Sequence, residues 1–144
     1  PCPASCGTSG CADWEGALSM SHDFSLRVYY EDTDLAGLVY YANYLKFIER
    51  ARSEYVRELG IDQAAMKSDG LVFAVSRVEA DYIQPAKYDD FLNVRTEIQR
   101  ATAARLTLKQ QVLRAETRLF EAIVTIVCLD DQGRPQRLPA AFRA

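Results

Sequence analysis

Polar and apolar side chains alternate over residues 24–30, with Leu26, Val28 and Tyr30 on one side and Ser25, Arg27 and Tyr29 on the other. This is the two-residue period of a half-buried strand. From Tyr41 or Ala42 the period lengthens. Tyr44, Phe47, Ile48, Ala51, Tyr55, Val56 and Leu59 recur at three- and four-residue spacing, among or opposite Lys46, Glu49, Arg50, Arg52, Arg57 and Glu58. That spacing predicts an amphipathic helix running to about Leu59 and stopped by Gly60. Asp62 is placed to cap a shorter helix through about Lys67, which Asp69-Gly70 breaks. Strand-type patterning then covers residues 71–84, 91–100, 105–114 and 118–129, separated by turn-rich stretches at 85–90, 101–104 and 115–117. Asp130-Asp131-Gln132-Gly133 reads as a turn, and the tail beyond it, with Pro135 and Pro139, is expected to lie on the surface or fray.

Four strands in series predict an antiparallel meander, and a helix with one apolar stripe needs a broad apolar face to cover it. The predicted class is therefore α+β, with one long helix laid across an antiparallel sheet. At 144 residues, 49% of them hydrophobic, the chain suits a single domain with a sizeable core. Residues 21–144 are assigned to that domain. Residues 1–20 carry no period and neither the basic start nor the apolar core of a signal peptide, and are expected to be a poorly ordered leader or vector-derived segment.

Charge narrows the partners. Seventeen Lys and Arg against 20 Asp and Glu give a net charge of −3 with no basic block, so no nucleic-acid footprint is predicted. No apolar run approaches the length of a transmembrane helix. Cys2, Cys6 and Cys11 crowd into the leader, which leaves Cys128 as a lone thiol in a strand-like run. The domain then has no internal disulfide, and the expected location is the reducing cytoplasm. The leader cysteines, even with His22, match no standard zinc spacing, so no metal is expected.

The informative chemistry lies in Glu31-Asp32-Thr33-Asp34-Leu35-Ala36-Gly37, where a strand ends in carboxylates and turns at a glycine just before the long helix. The first turn of a helix carries unpaired N–H groups and partial positive charge, so a carboxylate beside it can act on a carbonyl whose developing oxyanion the helix holds. Other readings of the same residues are a solvated acidic turn capping the helix, and a divalent metal site at Asp32 and Asp34. Gly37 relieves a turn needing positive φ. Glu49 is a second carboxylate, on the helix itself.

The segment from Tyr30 through Arg52, carrying Glu31-Asp32-Thr33-Asp34, Gly37, Tyr40-Tyr41 and Asn43-Tyr44, resembles the hotdog-fold acyl-CoA thioesterases of the YbgC type, associated with the bacterial Tol-Pal system, and their relative 4-hydroxybenzoyl-CoA thioesterase. The resemblance continues through Val78-Glu79-Ala80-Asp81-Tyr82-Ile83-Gln84-Pro85 and covers about residues 24–140. It implies a five-stranded antiparallel sheet wrapped around one central helix, dimers joined edge to edge, and dimers of dimers. It also implies a catalytic aspartate at Asp34, as nucleophile or as general base on water, and an oxyanion donor in the backbone N–H of Tyr41. The YbgC pattern commonly has histidine where this chain has Tyr41. His22, the only histidine, lies at the first strand, outside the motif.

Under that resemblance Gly37 lets the substrate carbonyl approach, and Asn43 braces the Asp34 loop. Tyr40, Tyr41 and Tyr44 line the acyl slot or serve as core aromatics. Arg100, Arg105 and Lys109 flank the loop where relatives hold the nucleotide, and are candidates for the phosphates of coenzyme A. The substrate would be an acyl-CoA or acyl-carrier-protein thioester, with no cofactor beyond the CoA it carries. The rival function is a non-catalytic module that binds acyl thioesters as a scaffold. A hotdog dehydratase is disfavoured because no histidine falls in the motif.

Overall fold

The computed structural model describes residues 21–142. The predicted leader, with Cys2, Cys6 and Cys11, lies outside the described residues. Strand β1 (Ser21–Arg27) is followed by a 3-10 turn (Tyr30–Asp32), the long helix α1 (Asn43–Glu58) and a short helix α2 (Gln63–Ser68). The rest is β2 (Leu71–Tyr82), β3 (Phe91–Ala101), β4 (Arg105–Arg114), β5 (Thr117–Asp130) and β6 (Pro135–Gln136). The sheet is antiparallel in the order β1-β3-β4-β5-β2, with β6 added beside β5.

The meander holds for β3, β4 and β5. It fails for β2, which lies beyond β5, while β1 takes the place next to β3. The cause is α1: the chain leaves β1 at one edge, crosses the sheet as a helix and re-enters at the opposite edge. Tyr44, Phe47, Ile48, Ala51 and Tyr55 form its buried stripe, and the first four share one core with Leu92, Val94, Val112, Phe120 and Val124 from the sheet. The helix ends as predicted. Gly60 takes φ +85°, its N–H reaches Arg57 O at 3.0 Å, and Ile61 N–H reaches Val56 O at 3.2 Å, a Schellman arrangement that satisfies the last carbonyls. Asp62 caps α2 through Oδ1, which accepts from Ala64 N (2.9 Å) and Ala65 N (3.1 Å).

Two expectations about edges need correction. Strand β1 stops at Arg27 rather than Tyr30, because Asp32 Oδ2 accepts the Tyr29 N–H at 2.8 Å and draws the chain into a turn. Tyr30 is left 82% exposed instead of facing inward. The tail does not fray: β6 pairs with β5, Leu138 and Phe142 are buried, and the Phe142 ring meets Phe73 edge-on at 5.8 Å.

Strand β2 forms one edge of the sheet, paired with β5 on one side alone among the described residues. Its register slips between Val75 and Arg77, so a bulge at Ser76 restores the inward phase. Phe73 and Val75 before it stand opposite the buried Cys128 and Ile126, and Val78 and Tyr82 after it opposite the buried Val124 and Phe120. Without the bulge Arg77 and Glu79 would turn toward the helix.

Candidate active site

The Asp34 loop is a turn closed on itself. Asp34 N–H donates to Leu38 O at 2.8 Å, and Gly37 N–H donates to Asp34 O at 3.0 Å. The carboxylate oxygen Oδ1 accepts from Ala36 N (2.9 Å) and Leu38 N (3.3 Å). Gly37 sits at φ +79° with open space where a Cβ would stand, so its backbone conformation rather than crowding requires glycine. Asp34 Oδ2 makes no hydrogen bond among the described residues, and the residue is exposed. Asn43 Nδ2 donates to Asp32 O, two residues before Asp34, at 2.9 Å, beside a Tyr40 N–H bond to the same oxygen at 3.0 Å.

The start of α1 carries no side-chain cap at Ala42 and no acid in its first turn. Among the described residues the N–H groups of Tyr41 and Ala42 make no backbone hydrogen bond. The electropositive helix end is thus left for something other than the chain. Next to it, the Tyr82 hydroxyl donates to the Tyr41 carbonyl oxygen at 2.9 Å. Burial, and then the nearby Tyr41, raise the Tyr82 pKa above its ordinary value, which keeps this donor protonated. Tyr44 is a core aromatic: it stacks on Phe120 at 4.9 Å, and its hydroxyl oxygen accepts the Ala86 N–H at 3.0 Å. Tyr40 and Tyr41 are exposed and tilt against each other at 5.0 Å. Asp34, Tyr40, Tyr41, Tyr44, Tyr82 and Pro85 line a single crevice of about 300 Å³.

Behind the crevice the turn between β2 and β3 holds the loop in place. Val39 N–H donates to Ala86 O at 2.8 Å and Tyr88 N–H to Gly37 O at 3.3 Å. That turn is fastened by Asp90, whose Oδ2 accepts from Lys87 N (2.9 Å) and from Arg114 Nη1 (2.7 Å). Burial alone would lift the Asp90 carboxyl, but the Lys87 N–H and the Arg114 guanidinium bring it below its ordinary value. Tyr82, Asp90 and Arg114 are the supporting residues that the sequence reading missed. Tyr82 bonds Tyr41, 41 residues away, and Asp90 bonds Arg114, 24 residues away, separations beyond the reach of a local motif.

Other candidates fall elsewhere. Arg100 and Arg105 do come together, lining a separate depression of about 300 Å³ with Thr102, Thr107 and Thr125 at the β3–β4 turn. Lys109 does not join them; its Nζ lies 3.9 Å from Glu121. Glu49 lies away from the crevice, where its Oε2 accepts the Ser53 hydroxyl at 2.6 Å and its charge acts on Arg52. Cys128 is buried, which raises its thiol pKa. His22 pairs with Glu58 at 2.8 Å and stacks on Tyr55 at 5.4 Å, well away from the motif. Burial and the neighbouring Glu58 push Tyr55 up to about 12. Among the described residues no group of three or more His, Cys, Asp or Glu side chains converges as a metal site.

Residues 28–144 match the model of the thioesterase-like superfamily. The chain belongs to this family. It is 40% identical over 121 residues to the acyl-CoA thioester hydrolase YbgC of Escherichia coli O6:H1, covering 83% of this chain and 90% of that protein. The acyl-CoA thioesterase YbgC of Haemophilus influenzae is 39% identical over 129 residues, covering 88% and 95%. Among solved structures, a probable thioesterase from Bartonella henselae superposes with a TM-score of 0.79 at 40% identity, covering 83% of this chain and 99% of that one.

The protein is a YbgC-like hotdog thioesterase, a thioester hydrolase. Its hotdog architecture is the one observed: α1 wrapped by the antiparallel sheet. Within this thioesterase, no described helix is long and apolar enough to cross a membrane. The crevice at the start of α1 pairs a carboxylate with unpartnered helix-end N–H groups, the two components that acyl transfer from sulfur to water needs.

Proposed function

We propose that the protein hydrolyses acyl-CoA thioesters to the free acid and CoA, with Asp34 as the reacting carboxylate and the Tyr41 N–H as oxyanion donor. The observation that carries this reading is the meeting of Asp34 and the uncapped start of α1 in one crevice. Asp34 either adds to the thioester carbonyl, giving an acyl anhydride that water then cleaves, or takes a proton from water as the hydroxide adds. On either route the carbonyl oxygen gains negative charge that the Tyr41 N–H stabilises. Collapse breaks the carbon–sulfur bond, and the departing thiolate takes up a proton. Gly37 leaves the carbonyl room, and Tyr40 forms a wall of the crevice. The chemistry needs no metal and no cofactor beyond the CoA of the substrate.

The same reading includes a two-fold dimer through β2, whose outer edge is unpaired among the described residues and carries exposed Val72, Val75 and Val78. A long unpaired edge of this kind favours pairing with another strand. Within one chain Arg105 and Arg114 stand at opposite ends of β4, about 30 Å apart at the usual rise of a strand, so the Arg100–Arg105 depression is remote from its own crevice. Antiparallel pairing of β2 about its middle sets the Tyr82 end of one copy opposite the Leu71 end of the other. The partner's arginine pair then approaches the Asp34 crevice, where it would hold CoA phosphates.

Thiol release measured over a panel of acyl-CoA lengths tests this. Asp34→Asn should lose about 100-fold or more of the turnover while the fold persists, because an asparagine oxygen can accept the same Ala36 and Leu38 N–H groups. Near-normal turnover in that variant would overturn the assignment.

A further inference from the structure

A second cavity, of about 180 Å³, lies between α1 and the sheet, with walls that include Val56, Phe73, Leu108, Ile126 and Phe142. Arg52 also lines it. This side chain is partly buried and, among the described residues, makes one hydrogen bond, from Nη1 to Gln110 Oε1 at 3.0 Å. Gln110 is itself fully buried and donates to Ile48 O (2.8 Å) and Thr96 Oγ1 (2.9 Å), so the oxygen facing Arg52 is a neutral acceptor within a polar network. No carboxylate lies within ion-pair distance of Arg52 among the described residues. The Glu49 carboxylate on the same wall accepts the neutral Ser53 hydroxyl, keeps its charge and acts on Arg52 from beyond ion-pair distance.

Satisfying Gln110 accounts for one guanidinium N–H but not for the charge, which a neutral donor could replace. Burial lowers the Arg52 pKa, against a smaller raising effect of Glu49, yet a guanidinium remains protonated in proteins. A partly buried cation with no carboxylate at ion-pair distance, its charge offset only in part by the more distant Glu49, is costly, and the cost is relieved when a closer anion arrives. The cavity is close to the roughly 150 Å³ that admits a benzene-sized body. Antiparallel pairing of β2 would bring the Phe73 end of one copy, and this cavity beneath it, toward the Tyr82 end and Asp34 crevice of the other.

We propose that the cavity is an acyl-end subsite serving the Asp34 crevice of the paired copy, and that Arg52 selects thioesters whose acyl group has a compact apolar body ending in a carboxylate. This rests on the Asp34 and paired-β2 reading above.

The test uses two matched probes, the thioether analogues of adipyl-CoA and hexanoyl-CoA, which differ at the far end of the acyl chain and resist hydrolysis. Dissociation constants by calorimetry are compared for the wild type, Arg52→Gln, which keeps a donor for Gln110, and Arg52→Lys, which keeps the charge. The wild type should bind the adipyl analogue about tenfold or more tightly than the hexanoyl analogue. Arg52→Gln should abolish that preference while holding the hexanoyl analogue unchanged, and Arg52→Lys should retain part of it. Equal binding of the two probes, failure of both to bind, or an unchanged ratio in Arg52→Gln would overturn the proposal. So would loss of the dimer in Arg52→Gln by sedimentation, which would give the cation a carboxylate of the partner instead. Because the probes are not cleaved, the ratio is read independently of whether Asp34 performs hydrolysis, which the turnover assay decides separately.

Discussion

The Tyr82 hydroxyl donates to the Tyr41 carbonyl oxygen at 2.9 Å, tying the end of β2 to the peptide that opens into α1. The ring of Tyr82 is separately packed against Tyr44 (5.5 Å) and Phe120 (5.0 Å), so ring and hydroxyl have different jobs. Tyr82→Phe should keep the packing and free the Tyr41–Ala42 peptide to tilt. A neutral hydrogen bond contributes about 1 kcal/mol net, and an orientation lost at the oxyanion donor appears in turnover. The expected result is a fall in kcat of about five- to tenfold with KM nearly unchanged. An equal rise in KM with kcat intact would show that Tyr82 binds substrate rather than positioning the peptide.

Gly37 stands at φ +79° with nothing within 4 Å of where a Cβ would be placed. Gly37→Ala therefore meets no clash, and its cost is the backbone strain of a left-handed residue, about 1–2 kcal/mol. Since the Gly37 carbonyl receives the Tyr88 N–H and its N–H closes the Asp34 turn, any relaxation moves the carboxylate. Thermal unfolding should fall by about 3–8 °C, with turnover falling more than stability alone explains. An unchanged melting temperature would mean the turn adopts another form at no cost.

The parts of this molecule that were legible in the sequence are those whose signal is local. The three- and four-residue period of α1, the Gly60 stop, the Asp62 cap and the Asp34-to-Gly37 turn all depend on neighbours within a few residues, and each was found where expected. Strand order was not legible, because alternation marks a strand without saying which strand lies beside it. β2 therefore reads as the first member of a meander although it closes the far edge. Tyr82, Asp90 and Arg52 act through partners 41, 24 and 58 residues away. Arg52 in particular sits among helix positions that normally point to water, so its burial against Gln110 leaves no trace in the hydrophobic pattern.

Asp90 makes stability depend on pH in a stated direction. Its carboxyl is held below the ordinary value by the Lys87 N–H and Arg114 against the opposing effect of burial, so the folded pKa is lower than the unfolded one. A depressed acid contributes stability that is present in full above the unfolded value, about 4, and is lost as pH falls through the folded value. Glu121 and Asp130 are lowered in the same sense and add to the acid limb. Urea midpoints at pH 7, 4 and 3 should fall with pH in the wild type and less steeply in Asp90→Asn. Parallel slopes in the two proteins would assign the acid sensitivity to the other carboxyls.

The hydroxyl of Tyr44 is buried and accepts the Ala86 N–H at 3.0 Å, while the Ala86 carbonyl receives Val39 N–H at 2.8 Å. One residue of the β2–β3 turn thus links the helix core to the loop that carries Asp34. Tyr44→Phe retains the stack on Phe120 but leaves a fully buried N–H at Ala86 without its acceptor. A backbone donor stranded in this way costs about 1–3 kcal/mol. The denaturation midpoint should drop accordingly, and amide exchange at Ala86 and Val39 should quicken together. If Ala86 exchanges faster while Val39 remains protected, the turn and the Asp34 loop are not mechanically joined, and the support assigned to Tyr44 would be confined to the core.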